Sequence, residues 1–203
     1  MLYWILKILF SPFFKLIWIK KVEGLQNIPK NGAFIIAANH SSYFDFFSLV
    51  VICPRKITFL AAEKFYTSKF WYPLVAGTRQ IKVERESSDK EEVYKKVDII
   101  LKNNQILGIF PEGTRSPSGK IEKTYTGVAK FAIDAKVPVI PVGITGTYEV
   151  LSRHEKWPKF KKIININIGK QMHFESYYGK SNDKLILRDI TDKIVKEIEN
   201  LKK

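Results

Sequence analysis

The sequence predicts an α/β fold: a single domain with a mainly parallel central sheet flanked by helices, preceded by an N-terminal pair of short hydrophobic helices. Three observations carry this. The chain has 203 residues, the length of one domain with a sizeable core. Short β-branched runs alternate with stretches of helical periodicity, the pattern of strand–helix units. Residues 1–19 are almost wholly apolar and aromatic.

That first segment, MLYWILKILFSPFFKLIWI, carries Lys7 and Lys15 and runs on to Lys20 and Lys21. A spanning helix needs about 20 uninterrupted apolar residues. Ser11-Pro12 divides the segment into two pieces, each too short to cross, and the proline lacks a backbone donor. Two short helices lying in one leaflet fit this pattern, with Tyr3, Trp4 and Trp18 at headgroup level and the lysines meeting anionic lipid. A single tilted span kinked at Pro12 and a segment packed on its own core are the alternatives. No basic stretch precedes the apolar run and no small-residue cleavage site follows it, so a cleaved signal peptide is not expected.

After the turn Asn27–Gly32, residues 33–37 (AFIIA) read as a buried strand. Ser41 or Ser42 caps a helix through Phe46 and Leu49. Residues 57–61 form a second strand. The stretch 64–75 is aromatic, and its cluster at 65–72 is expected in the core, or else against lipid beside the site. A short strand follows at 79–83, and Ser87-Ser88-Asp89 caps a helix bearing Val93, Val97, Ile100 and Leu101. ILGIF (106–110) is a buried strand, and Ser116-Pro-Ser-Gly119 an exposed polar turn. A helix over 127–135 leads to VPVIPVGI (137–144), where Pro138 and Pro141 suit an edge or a bulge. IININI (163–168) alternates and is half-buried, and the last helix presents Leu187, Ile190, Ile194, Ile198 and Leu201 on one face. The organisation expected is a hydrophobic helical segment over 1–22 and a second region over 23–203.

Composition narrows the partners. Against 20 acidic residues stand 34 Lys and Arg, a formal charge of +14 that suits nucleic acid, an anionic membrane or an anionic substrate. The cations are scattered and no helix-turn-helix or RNA-binding motif appears, so nucleic acid is not expected. Cys53 is the only cysteine, expected buried and inert; no intrachain disulfide can form, and with three His a zinc cage is not expected.

Two constellations carry chemistry. Asn39-His40-Ser-Ser-Tyr-Phe-Asp45 sits where a strand passes into a helix. Histidine takes a hydroxyl proton near neutral pH, and a carboxylate fixes its tautomer. Positions five apart on a regular helix do not share a face, so the pair meets only if His40 precedes the helix and Asp45 lies in its first turn; Ser41 as cap would arrange that. The other constellation is Phe110-Pro-Glu-Gly-Thr-Arg-Ser116. Gly113 permits close backbone approach, Thr114 adds a hydroxyl, and Arg115 offers a forked cation matched to phosphate. Glu112 braces Arg115 or a backbone amide rather than touching an anion. Taken singly, each is also compatible with a bland turn or a capped helix.

Together, and in this order, the two motifs resemble those of the glycerolipid acyltransferases, most closely the 1-acylglycerol-3-phosphate (lysophosphatidate) acyltransferase family. Ile81-Lys-Val-Glu-Arg85 resembles the family's second block and Val137–Val142 its fourth, over residues 25–150 in all. The resemblance implies His40 as general base, Asp45 orienting it, and an acceptor-phosphate site of Glu112, Gly113, Thr114 and Arg115 with help from Arg85. It places Pro141 at the acyl site. The family's second block has Gly six residues before its Arg, where this chain has Arg79, with Gly77 two residues earlier. Arg79 and Lys82 are therefore further candidates for the phosphate.

The expected reaction moves a fatty acyl group from an acyl carrier protein or coenzyme A thioester to the sn-2 hydroxyl of 1-acyl-sn-glycerol 3-phosphate, giving phosphatidate. No cofactor or metal is called for beyond that co-substrate, and a covalent serine route is disfavoured because neither Ser41 nor Ser42 lies in a G-x-S-x-G elbow. The expected partners are the bilayer, a lysophospholipid acceptor and the acyl thioester, the latter on an acidic carrier that the positive surface would help recruit. The expected location is the cytoplasmic face of a bacterial cell membrane, monotopic or peripheral. The rivals are another lysolipid or glycerol 3-phosphate as acceptor, and a basic membrane-binding protein without activity.

Overall fold

A computed structural model describes residues 2–84 and 91–203. Its elements follow the chain as α1 (Leu2–Ile17), β1 (Ile19–Glu23), β2 (Phe34–Ala38), α2 (Tyr43–Ile52), β3 (Ile57–Ala62), α3 (Lys64–Thr67), α4 (Tyr72–Gly77), β4 (Ile81–Val83), α5 (Glu91–Lys102), β5 (Ile106–Ile109), α6 (Gly127–Ala135), β6 (Val139–Thr145), α7 (Thr147–Val150), β7 (Ile164–Ile168) and α8 (Lys184–Leu201). Among the described residues the strands form one sheet in the order β1-β7-β6-β2-β5-β3-β4. Every pairing is parallel except β6 with β7. The mainly parallel α/β sheet read from the sequence is therefore the observed fold.

Side-chain alternation along the strands divides the core in two. Phe34, Ile36 and Ala38 of β2 join Phe14 of α1, Phe44 and Leu49 of α2, and Val150 of α7 on one face. Ile35 and Ala37 join Val97 and Leu101 of α5, Val128 and Ile133 of α6, and Ile190 and Ile194 of α8 on the other. A sheet covered on both faces must have strands buried on both sides, and β2 is buried at all five positions.

The N-terminal segment departs from the expected pair of helices. It is one helix, α1, with Pro12 inside it. The reason is tertiary. Tyr3, Lys7, Phe10 and Phe14 fall on one face, and each is held by the domain. The Tyr3 hydroxyl accepts the Ile57 N–H at 3.2 Å, the Lys7 ammonium donates to the Cys53 carbonyl, and Phe10 and Phe14 pack on Phe47 and Phe44 of α2. These contacts hold the axis on both sides of Pro12, whose ring sits on the exposed face and costs only local hydrogen bonding. Ile5, Ile8, Leu9, Phe13 and Leu16 stay exposed on the outer face. No helix of the described residues is long and apolar enough to cross a membrane. Residue 22, the boundary expected between the two regions, falls inside strand β1, which is hydrogen-bonded to β7.

β6 is not an edge strand; it lies between β2 and β7. Pro141 is accommodated because its donor-less nitrogen turns toward β7, where the ladder is broken. Val142 pairs with Ile168, whereas Val139 bridges Met172, so one extra residue bulges out on the partner side. The bulge half of the sequence expectation holds. Cys53 is fully buried, and burial pushes its thiol pKa up, away from reactivity.

Arg79 has φ +58°, a left-handed conformation natural to glycine. Backbone geometry thus explains why the resembling block has a glycine there, and this chain carries the strain on an arginine. Left-handed geometry costs an L residue roughly 1–2 kcal/mol, partly offset by the larger unfolded-state entropy of glycine. Arg79→Gly is expected to stabilise the protein by about 1 kcal/mol in urea denaturation. A net loss would mean that the arginine side chain contributes more than its backbone costs.

Candidate active site

The site forms where β2 and β5 end. These strands pair in parallel with Ile36 opposite Gly108 and Ala37 opposite Ile109. Carried three residues further, the same register sets His40 against Glu112. The two meet: the His40 N–H donates to Glu112 Oε1 at 2.6 Å, and the Ser116 N–H donates to the His40 carbonyl at 2.7 Å. Asn39 ties this end of β2 to β6, accepting from the Ile144 N–H at 2.8 Å and donating to its carbonyl at 2.9 Å. An amide side chain here continues the ladder where the backbone leaves it.

His40 itself lies before α2, as reaching Asp45 requires. Ser42, rather than Ser41, is the N-cap; its hydroxyl accepts from the Phe44 N–H, and Asp45 at the third helical position completes a capping box. Asp45 Oδ2 accepts three donors: the Ser41 N–H at 2.6 Å, the Ser42 N–H at 2.7 Å and His40 Nδ1 at 3.0 Å. Asp45 is fully buried. A carboxylate held by two backbone amides has no freedom to rotate, so it fixes Nδ1 as the protonated nitrogen and leaves Nε2 with its lone pair. The imidazole is further held by stacking on Phe110, centroids 4.1 Å apart, and Phe110 stacks in turn on Phe59. Ser41 Oγ lies 3.2 Å from Thr147 Oγ1, and the Ser42 hydroxyl donates to the Leu151 carbonyl at 2.6 Å. Both serines are thereby built into scaffolding.

Glu112 is buried and braces a backbone amide, one of the two roles the sequence allowed; it makes no ion pair with Arg115. Burial pushes its carboxyl up to about 7, Asp45 nearby adds to the rise, and the His40 N–H opposes it. A carboxyl raised in the fold is favoured as the neutral form. Its stabilising contribution is full below the ordinary pKa of 4.5 and is lost as pH rises through about 7. Glu112→Gln keeps an acceptor for the His40 amide and cannot ionise. Thermal unfolding is expected to show the two proteins alike near pH 5 and the variant more stable above pH 7, by on the order of 2 kcal/mol. Parallel stability curves across that range would show that Glu112 does not titrate there.

His40, Glu112, Gly113 and Thr114 line a cleft of about 500 Å³ whose other walls include Phe46, Phe59, Leu74, Val75 and Phe131. Polar groups thus converge on a space that is otherwise apolar. Arg115 sits beside this cleft with its guanidinium 3.8 Å from the Tyr43 ring centroid, over the start of α2, and makes no ion pair among the described residues. Arg85 and the Ser87–Asp89 cap lie outside the described residues. The two further candidates do not fit. Lys82 is already held by Glu63 at 2.8 Å and Glu84 at 2.7 Å. Arg79 points its field at Lys56, at the opposite end of β3 from the site.

The aromatic cluster at 65–72 is not core. Phe65 and Trp71 line the cleft and pack on Tyr43, while Phe70 and Tyr72 are exposed. The turn after Arg115 is also less open than expected, because Ser116 is buried and its hydroxyl donates to the Lys120 carbonyl. Sequence reasoning gave no role to Tyr43 or Phe110, although their positions inside the two motifs were the available signal. Among the described residues no cluster of three or more His, Cys, Asp or Glu side chains is arranged to hold a metal ion.

A His–Asp pair with its carboxylate buried, at the mouth of an apolar cleft on a mainly parallel α/β sheet, suits general-base transfer of a group to a hydroxyl oxygen. The comparisons agree. The acyltransferase family model matches residues 20–145, and the chain belongs to that family. It is 27% identical to the 1-acyl-sn-glycerol-3-phosphate acyltransferase of Bacillus subtilis, over 89% of this chain and 88% of that protein. It is 31% identical to the Pseudomonas aeruginosa enzyme of the same name, over 76% of this chain and 60% of that one. The crystal structure of the 1-acyl-sn-glycerophosphate (LPA) acyltransferase PlsC from Thermotoga maritima superposes with a TM-score of 0.76 at 26% identity, covering 98% of this chain and 79% of that one.

Proposed function

We propose that this acyltransferase esterifies the sn-2 hydroxyl of 1-acyl-sn-glycerol 3-phosphate, using an acyl thioester of coenzyme A or acyl carrier protein and giving phosphatidate. The observation that carries this reading is the clamped His40–Asp45 pair opening on an apolar cleft, with Gly113 and Thr114 in its wall and Arg115 beside it. His40 Nε2 takes the hydroxyl proton as the acceptor oxygen attacks the thioester carbonyl. Asp45 stabilises the imidazolium through Nδ1–H. The tetrahedral intermediate then collapses, the C–S bond breaks, and the imidazolium returns its proton to the departing sulfur. The phosphate of the acceptor is bound by Arg115 together with Gly113, Thr114 and Arg85, and the acyl chain lies among the cleft aromatics.

The outer face of α1, apolar and flanked by Lys15, Lys20 and Lys21, fits a helix lying in one leaflet on the cytoplasmic side of the membrane. Such a placement brings the cleft to a substrate that resides in lipid. The reading is tested by assaying acyl transfer from both thioesters to 1-acylglycerol 3-phosphate, glycerol 3-phosphate and lysophosphatidylcholine in detergent. Preferred turnover of the first acceptor is expected. A preference for either of the others would reassign the acceptor while leaving the chemistry in place.

A further inference from the structure

We propose that the loop between α7 and β7, residues 153–162, is a second membrane contact that selects anionic lipid. Its sequence, RHEKWPKFKK, places five cations and two aromatics against the single acid Glu155. Trp157 is 82% exposed and Phe160 77% exposed, among the most exposed large apolar side chains described. Large aromatics are rarely left in water without a surface to meet, and a ring flanked by lysines suits the headgroup layer of a bilayer. Lys159 is paired with Glu155, but Lys156, Lys161 and Lys162 are exposed without a carboxylate partner among the described residues.

The loop is shaped rather than trailing. The Lys159 N–H donates to the Val150 carbonyl, and the Trp18 indole donates to the Lys159 carbonyl at 2.9 Å. Phe160 stacks on Trp18 with centroids 5.7 Å apart. Trp18 follows α1 directly, so this stacking sets Phe160 beside the C-terminal end of that helix. On its other side the loop reaches the active site, where Arg153 donates to the Arg115 carbonyl and Leu151 accepts from Ser42. A basic, aromatic surface bridging α1 and the phosphate-binding motif would hold the cleft mouth against a negatively charged leaflet, with each lysine contributing through the surface potential.

The proposal rests on the reading of α1 as bilayer-facing only for its placement, and the experiment separates the two. The full chain is mixed with vesicles of phosphatidylcholine alone and of phosphatidylcholine with phosphatidylglycerol, and partitioning is measured by flotation. Wild type is expected to favour the anionic vesicles. The triple variant Lys156→Glu, Lys161→Glu, Lys162→Glu is expected to lose that preference by about tenfold or more while binding neutral vesicles as before. A Trp157→Phe variant is expected to lose part of the vesicle-induced blue shift in the fluorescence spectrum, the remainder coming from Trp4 of α1. Undiminished anionic binding by the triple variant would overturn the proposal. So would a raised KM for acidic acyl carrier protein with partitioning unchanged, which would make the loop a carrier dock. Leu9→Glu with Phe13→Glu tests α1 separately. Binding that survives these changes sinks the α1 reading, whatever the loop variants show.

Discussion

Replacing His40 with Ala is expected to reduce acyl transfer by about 10³-fold or more, with the fold retained. The size of the loss follows from the site. Among the described residues no other imidazole lines the cleft or is held by a buried carboxylate, and both neighbouring serines are engaged in scaffolding. Stability is expected to change little. The side chain is not deeply buried, and Asp45 keeps its two backbone donors from Ser41 and Ser42 when the imidazole is gone. Turnover and circular dichroism measured on one preparation check both halves. A turnover within about tenfold of wild type would place the base elsewhere, because positioned general bases contribute roughly 10²–10⁴-fold.

Asp45→Asn is expected to lower kcat by about 10³-fold or more with a smaller effect on KM, by analogy with loss of the orienting carboxylate in a serine protease triad. Here the cause can be followed atom by atom. Oδ2 accepts from two amides and from His40 Nδ1, so an amide oxygen in that place leaves its NH₂ group in the position of Oδ1, which is buried and without a partner among the described residues. An unpaired buried donor costs about 1–3 kcal/mol. The opposite flip places NH₂ against the Ser41 and Ser42 amides and against Nδ1, which then has to accept, forcing the proton onto Nε2. The first arrangement costs stability and the second costs the base. Chemical denaturation beside steady-state kinetics distinguishes them, and a variant normal in both would show that Asp45 serves only as a helix cap.

The pair was legible in the sequence because it is local. A serine cap with an acid three residues on is a helix-start signal, and a histidine just before the cap can then reach the acid. Strand and helix positions were legible for the same reason: β2 and β5 are short apolar runs buried at every position, and α6 is a run of apolar and small residues within one element. The role of Glu112 was not. Sequence left two partners open for it, and only the pairing of β2 with β5 brings it to the His40 amide across 72 residues. The aromatic cluster at 65–72 shows the same limit. Its hydrophobicity suited a core, but a cleft wall is equally apolar, and the difference lies in which elements stop short of closing over it.

What the sequence by itself determined about this protein is the α/β alternation, the capped histidine–carboxylate pair and the acyltransferase family, because each depends on contacts within a few residues or on the order of short motifs. Tertiary structure alone decided that α1 continues through Pro12, that β6 is central with a bulge at Pro141, that Arg79 takes a left-handed backbone and that Lys82 is already paired. In each case the local preference is worth a few kcal/mol at most, and packing or pairing with distant residues outweighs it.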